Sequence, residues 1–452
     1  MMNIIQEDKV LYKQLLDLAL PIMGANLLQM FYNLADAYFL GKLGKEALSA
    51  PSIAFTLIFF MVVFGTGFSL AGTTLIAQSK GKKDQSKVDF YLGQMILILI
   101  CTSIVIMVLG VSFSKPLLHL LQVPQSAFDY TYEYVTIIFL GIPLMFMTIV
   151  LQSAMQGIGN SLTPLFIQLC TVLLNVVLDP LLIFGIGPFP AMEVRGAALA
   201  TVVSQGVASI IAFFILVKGD CGLKLRLCNL RPDKEAVTRI IKIGLPSSLG
   251  QSLSAFGFTV LQGIVNSYGT AVVAAFGVGN RITNIFSMPA QGFAQATSSL
   301  VGQSLGAKCK ERAVLVVKQA AFSIFVFITI GMSLTFFYGH SFVKFFINDP
   351  EVIHHGIYLF RINSISVIAF AVFTVITGAF QGGGDTKPIM FLNILRLWGL
   401  RVPLAYLLSH TMGWGPIGIW SAMFTSNLIV AILGFFHLKR GRWLVKIDPD
   451  KI

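Results

Sequence analysis

The sequence predicts an all-α polytopic membrane protein with twelve transmembrane helices, in two six-helix lobes related by parallel internal duplication. Of its 452 residues, 56% are hydrophobic and only 12% are charged, whereas globular chains carry about 25% charged residues. Many stretches almost free of Asp, Glu, Lys and Arg are longer than the ~20 residues that cross a hydrocarbon core. These stretches are continuously apolar, which does not fit the alternating pattern of a transmembrane β-barrel.

A polar loop at 218–242 divides the apolar stretches into six and six. We therefore predict a first lobe at 1–217, a cytoplasmic linker at 218–236, and a second lobe at 237–452 that ends in a basic tail. The predicted spans lie at about 15–39, 48–78, 90–112, 130–155, 162–184, 195–217, 237–266, 271–303, 314–338, 355–380, 388–411 and 416–438.

The two halves repeat one another at a constant offset. GFSLAGTTLIAQSKG at 67–81 aligns with GFAQATSSLVGQSLG at 292–306, and QGIGN at 156–160 aligns with QGGGD at 381–385. Pro21 aligns with Pro246, and all three alignments use an offset of 225. The offset predicts a duplication. Because each copy has an even number of spans, both copies enter the membrane from the same side.

Basic residues cluster on one predicted face of the membrane. They follow spans two, six and eight and fill the tail, while the opposite loops carry acidic residues. Examples are Lys82, Arg226, Lys310 and Lys446 on the first face, and Asp129, Glu193 and Glu351 on the other. The positive-inside rule then places both termini in the cytoplasm. The net charge of +12 has the same origin, and we expect no nucleic-acid partner.

The first span carries a polar stripe that ends in a carboxylate. Asn26, Gln29, Asn33 and Asp36 recur at steps of three and four, and Tyr32 lies one turn from Asp36. A charged Asp in a membrane helix costs about 2.5–3.5 kcal/mol, so such residues usually face a cavity or a partner. The stripe therefore predicts a face that binds an ion or a proton.

Pro21 lies within the same span and has a counterpart in the second copy, Pro246. Proline removes a backbone donor and can kink a helix. We predict a hinge at Pro21 that lets the first helix bend.

Three further spans of the first half present polar side chains at helical spacing. They are Gln152 and Gln156 on span four, Gln168, Thr171, Asn175 and Asp179 on span five, and Thr201, Ser204 and Gln205 on span six. Carboxylate, amide and hydroxyl oxygens suit Na⁺, and burial favours the protonated form of a carboxylic acid, so they also suit a proton. The alternative is structural: Asp36 pairs with a buried base, and the other polar groups bond neighbouring helices.

The second half does not preserve these acids. Asp36 aligns with Leu261, and Asp179 aligns with Val402 after a drift of two residues. Instead, three arginines lie in or near the later spans: Arg281, Arg396 and Arg401. They either snorkel or pair helices, or they line a substrate cavity.

Signatures of soluble enzymes are missing. The sequence has no Walker loop and no GxSxG, its five cysteines are scattered, and its six histidines lack metal-ligand spacing. We expect neither catalysis nor a cofactor. Energy for transport would then come from an ion gradient, which supplies about 2.3 kcal/mol per charge per 100 mV.

The chain resembles the multidrug and toxic compound extrusion (MATE) family over nearly its whole length. The resemblance rests on YNLADAYFLGKLGKEALSA, on the repeated pair at 67–81 and 292–306, and on NVVLDPLLIFG followed by GAALATVVSQ. It implies a two-lobed transporter that exports cationic or amphipathic drugs in exchange for Na⁺ or H⁺. Spans seven and ten lack the mid-span acid that some relatives carry, which favours the DinF-like branch.

By this resemblance, Tyr32, Asp36, Asn175, Asp179 and Thr201 match residues implicated in ion coupling. Four of them, Asp36, Asn175, Asp179 and Thr201, are the candidate Na⁺ ligands. The predicted substrate cavity comprises Gln29, Asn33, Gln152, Gln156, Gln168, Arg281, Arg396 and Arg401.

We therefore expect a cation-coupled multidrug antiporter of the cell membrane that works by alternating access and acts as a monomer in the lipid bilayer. The alternative is a flippase for lipids or lipid-linked sugars from the same superfamily.

Overall fold

The computed structural model describes residues 2–219 and 221–444, in which helices dominate and no strand occurs. Side chains are described in these ranges except at 2–7, 45–46, 55–56, 60–61 and 64. The basic tail beyond Leu444, with Lys446, lies outside the described residues. The long helices are α1 Met2–Gly41, α2 Lys45–Gly81, α3 Gln85–Leu120, α4 Gln125–Ile158, α5 Leu162–Phe184, α6 Glu193–Lys218, α7 Lys234–Asn266, α8 Thr270–Gly306, α9 Lys310–Phe346, α10 Pro350–Gly382, α11 Thr386–Thr411 and α12 Pro416–Lys439.

These twelve helices confirm the predicted fold class. Nine of them, within the part of the chain that is described, are long and apolar enough to cross a membrane. The other three are α2, α7 and α8, of which α7 and α8 are rich in Ser, Gln and Gly. Helices suit the hydrocarbon core of a membrane because each helix satisfies its backbone hydrogen bonds within one segment.

Aspartates just before two helices fix where those helices begin. Asp84 precedes α3, and its side chain accepts a hydrogen bond from the backbone N–H of Lys87 at 3.0 Å. Asp349 precedes α10 and accepts from the N–H groups of Glu351 and Val352 at 2.9 and 3.1 Å. Each cap satisfies donors that have no partner inside the helix.

The backbone repeats at the same offset of 225 as the sequence. Positive φ angles recur in both copies at three corresponding turns: Gly44 and Gly269 (137° and 91°), Lys83 and Lys308 (59° and 61°), and Gly159 and Gly384 (90° and 72°). Lysine rarely adopts such a conformation, so its recurrence indicates the same turn in both copies. The duplication predicted from sequence is therefore also present in the local structure.

Each half is built around its fourth helix. In the first half α4 packs against α2, α3 and α6, and in the second half α10 packs against α8, α9 and α12. Two compact units result, one formed by residues 24–248 and the other by 2–23 together with 249–444. The lobes predicted at 1–217 and 237–452 follow the repeat rather than these contacts, and that division stays a prediction.

The unit boundaries fall at equivalent points of the repeat. They follow Met23 in α1 and Ser248 in α7, two residues after Pro21 and Pro246. Each helix continues through its proline. The beginning of α1 thus packs with α8, α9 and α10, where Leu15 is fully buried in their apolar core.

Equivalent glycines permit close helix contacts in the two units. A Cβ atom on Gly67 of α2 would lie 2.8 Å from the carbonyl oxygen of Gly244 in α7. A Cβ atom on Gly292 of α8 would lie 3.2 Å from the carbonyl oxygen of Ala19 in α1. Both pairs are related by the offset of 225, so the close approach that glycine allows belongs to the repeated scaffold.

The linker after α6 is hydrogen-bonded to α3. Fully buried Gln94 donates to the carbonyl oxygens of Asn229 and Arg231 at 2.8 and 2.7 Å. Its side-chain oxygen accepts from the N–H of Asp233 at 3.0 Å. One glutamine therefore satisfies three backbone groups just before α7 begins.

The second copy repeats this anchor at the start of α1. Gln319 of α9 donates to the carbonyl oxygen of Asp8 at 3.1 Å. Gln319 and Asp8 lie 225 residues from Gln94 and Asp233, respectively. Gln94 of α3 thus holds the start of α7, and Gln319 of α9 holds the start of α1.

We predict that Gln94→Ala lowers thermal stability, because three backbone groups lose their partner. Each such loss costs about 1–3 kcal/mol. Thermal unfolding of the purified protein in detergent measures the change, with exposed Gln125→Ala as the matched control. Equal melting temperatures for the two variants would contradict the anchoring role.

Candidate functional site

Helices α1, α5 and α6 bring the five predicted coupling residues into the interior of the unit formed by residues 24–248. All five are buried: Tyr32, Asp36, Asn175, Asp179 and Thr201. Asp36 is 9% exposed, while Asn175 and Asp179 are fully buried. The polar stripes predicted from helical spacing therefore place these residues against protein rather than lipid.

The two carboxylates and Asn175 form a connected group. Asn175 and Asp179 lie one turn apart on α5, and the Asn175 amide donates to Asp179 Oδ1 at 3.2 Å. The Asp36 carboxyl group on α1 lies within interaction range of both Asp179 and Asn175. The spacing of four residues on one helix explains the first contact, whereas only packing explains the second.

A hydrogen bond joins the other two residues of this set. Tyr32, one turn before Asp36 on α1, donates its hydroxyl to Thr201 Oγ1 of α6 at 2.8 Å. The bond is buried and links helices that are far apart in sequence. It holds the Tyr32 ring beside the carboxylates, where it helps to exclude solvent.

Neither carboxylate has a basic partner among the residues that the structure describes. The expected alternative of Asp36 paired with a buried base is therefore not observed within those residues. Three buried oxygen atoms make no hydrogen bond: Asp36 Oδ1, Asn175 Oδ1 and Asp179 Oδ2. Two adjacent carboxylates in an apolar interior repel one another when both are charged, so this group favours binding of a positive charge.

The donor set fits a small cation or a proton. It contains carboxylate, amide and hydroxyl oxygens, the atoms that hard cations prefer. Within the described ranges, no group of three or more His, Cys, Asp or Glu could hold a metal ion. Because only Asp36 and Asp179 are of these four residue types, the remaining oxygens for a cation would come from Asn175 and Thr201.

Sequence reasoning missed Tyr134, and it named Ser204 only as a polar residue of span six. Tyr134 of α4 is buried and lies within electrostatic range of Asp36, Asp179 and Tyr32. Ser204 of α6 is fully buried, and its hydroxyl has no hydrogen-bond partner. Ser204 was visible one turn from Thr201, but nothing in the sequence separated Tyr134 from the other aromatic residues of its span.

The predicted cavity glutamines form a chain of amides on α1 and α5. Gln168 donates to the side-chain oxygen of Gln29 at 3.0 Å, and Gln29 donates to Asn33 at 3.4 Å. Gln29 and Asn33 are exposed, and Gln168 is partly exposed. These amides thus form a polar surface on the same helices as the carboxylates.

Gln168 and Gln152 also line a small pocket between α4, α5 and α6. Thr148, Thr171 and Gln205 complete its polar lining, and Thr148 donates to Gln205 at 3.2 Å. Its volume of about 30 Å³ holds one or two water molecules. Gln156, also predicted for the cavity, is buried farther along α4 and does not line this pocket.

The three predicted arginines have different surroundings. Arg281 is exposed on α8, and Arg396 is partly exposed on α11. Arg401 is buried and donates to Ser426 Oγ at 3.0 Å and to Asn427 Oδ1 at 2.5 Å, both on α12. These bonds give Arg401 a helix-pairing role, which was one of the two interpretations of the sequence.

Comparison with known proteins identifies the family. The model of the family described as MatE matches residues 21–181 and again residues 246–407. The chain belongs to the MatE family. The two matches begin 225 residues apart, as the internal repeat does, and they place this chain among the MATE transporters.

This MATE transporter is similar to proteins named for drug resistance. It is 29% identical to the probable multidrug resistance protein YpnP of Bacillus subtilis (strain 168), over 97% of each chain. It is 26% identical to the multidrug export protein MepA of Staphylococcus aureus (strain NCTC 8325 / PS 47), over 97% of this chain and 96% of the relative.

Two solved structures are similar over 97% of both chains. One is an outward-facing multidrug resistance MATE family transporter, with a TM-score of 0.89 and 24% identity, which supports the fold. The other is a MOP superfamily transporter from Pyrococcus furiosus, with a TM-score of 0.88 and 25% identity. That transporter is described as having a binding pocket of reverse polarity, which suggests a different function for it.

We predict that Tyr32→Phe and Thr201→Val each destabilise this MATE transporter by about 1 kcal/mol, because each removes the same buried hydrogen bond. The double variant should lose less than the sum of the two single losses. Thermal unfolding in detergent measures this coupling, and exposed Tyr38→Phe serves as the control. Strictly additive losses would show that the two side chains act independently.

Proposed function

We propose that this transporter is a cation-coupled multidrug antiporter that exports organic cations or amphipathic compounds. The names of its relatives support multidrug export. The observation that carries ion coupling is the buried pair Asp36 and Asp179, which has no basic partner among the described residues. Such a pair attracts a cation, and a buried carboxylate in a membrane helix is usually functional.

In this proposal the ion and the substrate compete for the acidic first half. H⁺ or Na⁺ from outside binds at Asp36 and Asp179 and neutralises them, and a cationic drug then loses its electrostatic attraction and leaves. Asn175 and Thr201 add neutral oxygens, while Gln29, Asn33, Gln152 and Gln168 offer hydrogen bonds to the drug. Each ligand shifts the conformational equilibrium only by its difference in affinity between the two states.

Helix α1 supplies the proposed coupling element. It carries Asp36, and its residues before Gly24 belong to the other compact unit. Pro21 leaves a backbone carbonyl of the preceding turn without its usual donor. Neutralisation of Asp36 would therefore favour a bend of α1 near Pro21, and alternating access would follow from the change in this helix.

We place the protein in the cell membrane as a monomer, with both termini in the cytoplasm. The multi-pass architecture rests on the long apolar helices and the family. The orientation follows from the basic loops, because positive residues are retained in the cytoplasm. The energy source is an ion gradient rather than a bound cofactor.

A second candidate function is transport of a lipid or a lipid-linked sugar. It is favoured by the basic character of α11, where Arg396 and Arg401 have no carboxylate partner among the described residues. The similar Pyrococcus furiosus transporter, with its pocket of reverse polarity, shows that the fold accommodates other charge patterns.

We predict that Asp36→Asn reduces ion-driven export of a cationic dye at least roughly tenfold, because the neutral amide cannot exchange a proton or attract a cation. Efflux from proteoliposomes under an imposed ion gradient measures the rate. Asp17→Asn is the matched control, since Asp17 is an exposed carboxylate on the same helix. Export by Asp36→Asn at the native rate would refute coupling at this residue.

We also predict that the same efflux depends on one external cation, and two series identify it. In the first, Na⁺ is varied at fixed pH, and in the second, pH is varied without Na⁺. A proton-coupled site responds in the second series alone, whereas a Na⁺-coupled site responds in the first series and supports no efflux in the second. Transport that is indifferent to both ions would exclude the antiport mechanism.

A further inference from the structure

The eleventh helix contains a π-helical segment, Leu395–Arg401, that carries two arginines. Single π-helical turns are uncommon and frequently mark functional sites. The segment corresponds to residues 172–178 of α5, which include Asn175 and end next to Asp179, since these two residues align with Trp398 and Val402. The same stretch of the repeat thus carries carboxylate chemistry in one copy and guanidinium chemistry in the other.

Arg401 is held by hydrogen bonds to the protein, whereas Arg396 makes an aromatic contact but no hydrogen bond among the described residues. The donors of Arg401 are directed at Ser426 and Asn427, as described above. The Arg396 guanidinium lies 4.7 Å above the ring of Phe370. Its buried Nε has no hydrogen-bond partner, and it forms no ion pair with any described residue.

The positive charges of Arg396 and Arg401 have no carboxylate partner among the described residues. The two guanidinium groups lie near enough to repel one another, and no carboxylate acts on either. A buried charge without a partner is strongly destabilising, and arginines within membrane segments usually pair or face a cavity. Because part of the Arg396 side chain remains accessible, an external anion can supply the missing partner.

We propose that Arg396, in the same π-helical segment as Arg401, binds the anionic group of an amphipathic ligand, either a carboxylate or a phosphate. A guanidinium presents a planar fork of donors that matches both groups and binds them through two parallel hydrogen bonds. Aromatic rings are available for the apolar part of the ligand: Phe370 lies under Arg396, and Trp398 stacks on Phe256 with ring centroids 5.5 Å apart.

This inference rests on the proposed function and extends its substrate class. The first half selects positive charge through Asp36 and Asp179, and the second half selects negative charge through Arg396. Amphiphiles that carry an anionic group are then ligands of the second half, while anionic lipid is the alternative source of the same group. Residue Arg401 is directed toward α12 by its bonds to Ser426 and Asn427, so it adds positive charge beside Arg396 rather than a contact with the ligand.

Binding to the full-length protein in phosphatidylcholine nanodiscs tests the site. Isothermal titration calorimetry compares 1-naphthoate with 1-naphthylmethylammonium, which share the ring system and differ in charge. We expect Arg396→Gln to weaken naphthoate binding at least roughly tenfold, as expected for lost charge-assisted hydrogen bonds, and to leave the ammonium compound unaffected. Arg396→Lys should retain part of the affinity.

Arg361→Gln is the matched control, since Arg361 is exposed on α10. Equal naphthoate affinity in the wild type and in Arg396→Gln would overturn the proposal, and so would equal losses in Arg396→Gln and Arg361→Gln. If neither naphthoate nor anionic lipid binds the wild-type protein, the proposal is also wrong.

Nanodiscs that contain phosphatidylglycerol distinguish the two sources of the anion. Competition between the lipid and naphthoate in the wild type, absent in Arg396→Gln, identifies a lipid headgroup, whereas unaltered naphthoate binding identifies a free amphiphile. Failure of this site is separable from failure of the antiport mechanism. The Asp36→Asn variant should lose export and keep naphthoate binding, whereas Arg396→Gln should lose naphthoate binding.

Discussion

The burial of two neighbouring carboxylates, with no basic partner among the described residues, is the constraint on which the first half depends. Asp36 comes from α1 and Asp179 from α5, and both lie in the protein interior. In a low-dielectric interior, two negative charges so close are unfavourable unless a cation or a proton is added. Tyr32, which is hydrogen-bonded to Thr201, and Tyr134 are buried within electrostatic range of both carboxylates.

The duplicated scaffold persists although the charge of the two copies differs. Turns with positive φ recur at Lys83 and Lys308, and the anchoring glutamines Gln94 and Gln319 occupy equivalent positions. Backbone geometry of this kind depends on steric fit and hydrogen bonding, which both copies need equally. Side chains outside these turns and anchors are free of that requirement, and Asp36 and Asp179 of the first copy align with Leu261 and Val402 of the second.

Divergence between the copies gives the transporter two kinds of polar chemistry on one fold. In the first half, the carboxylates share helices α1 and α5 with amides such as Gln29 and Gln168, which accept and donate without charge. In the second half, Arg401 bonds α11 to α12, whereas Arg396 has no hydrogen-bond partner among the described residues. A transporter for varied amphiphiles benefits from this division, because a polar group that a site cannot match is costly to desolvate.

The sequence alone determined the twelve helices, the repeat and the position of each polar stripe. These follow from hydrophobic length and from the 3.6-residue period, which are local properties. It also selected Asn175 and Asp179 as neighbours, because a spacing of four on one helix brings side chains together. The structure shows the same contact at 3.2 Å.

Only the tertiary structure decided which side chains from different helices meet. It placed Asp36 beside Asp179, joined Tyr32 to Thr201, added Tyr134, and separated the bonded Arg401 from the unpartnered Arg396. It also showed that the linker before α7 is fixed by Gln94. These contacts depend on how helices far apart in sequence rotate and pack against one another, and no local pattern encodes that rotation.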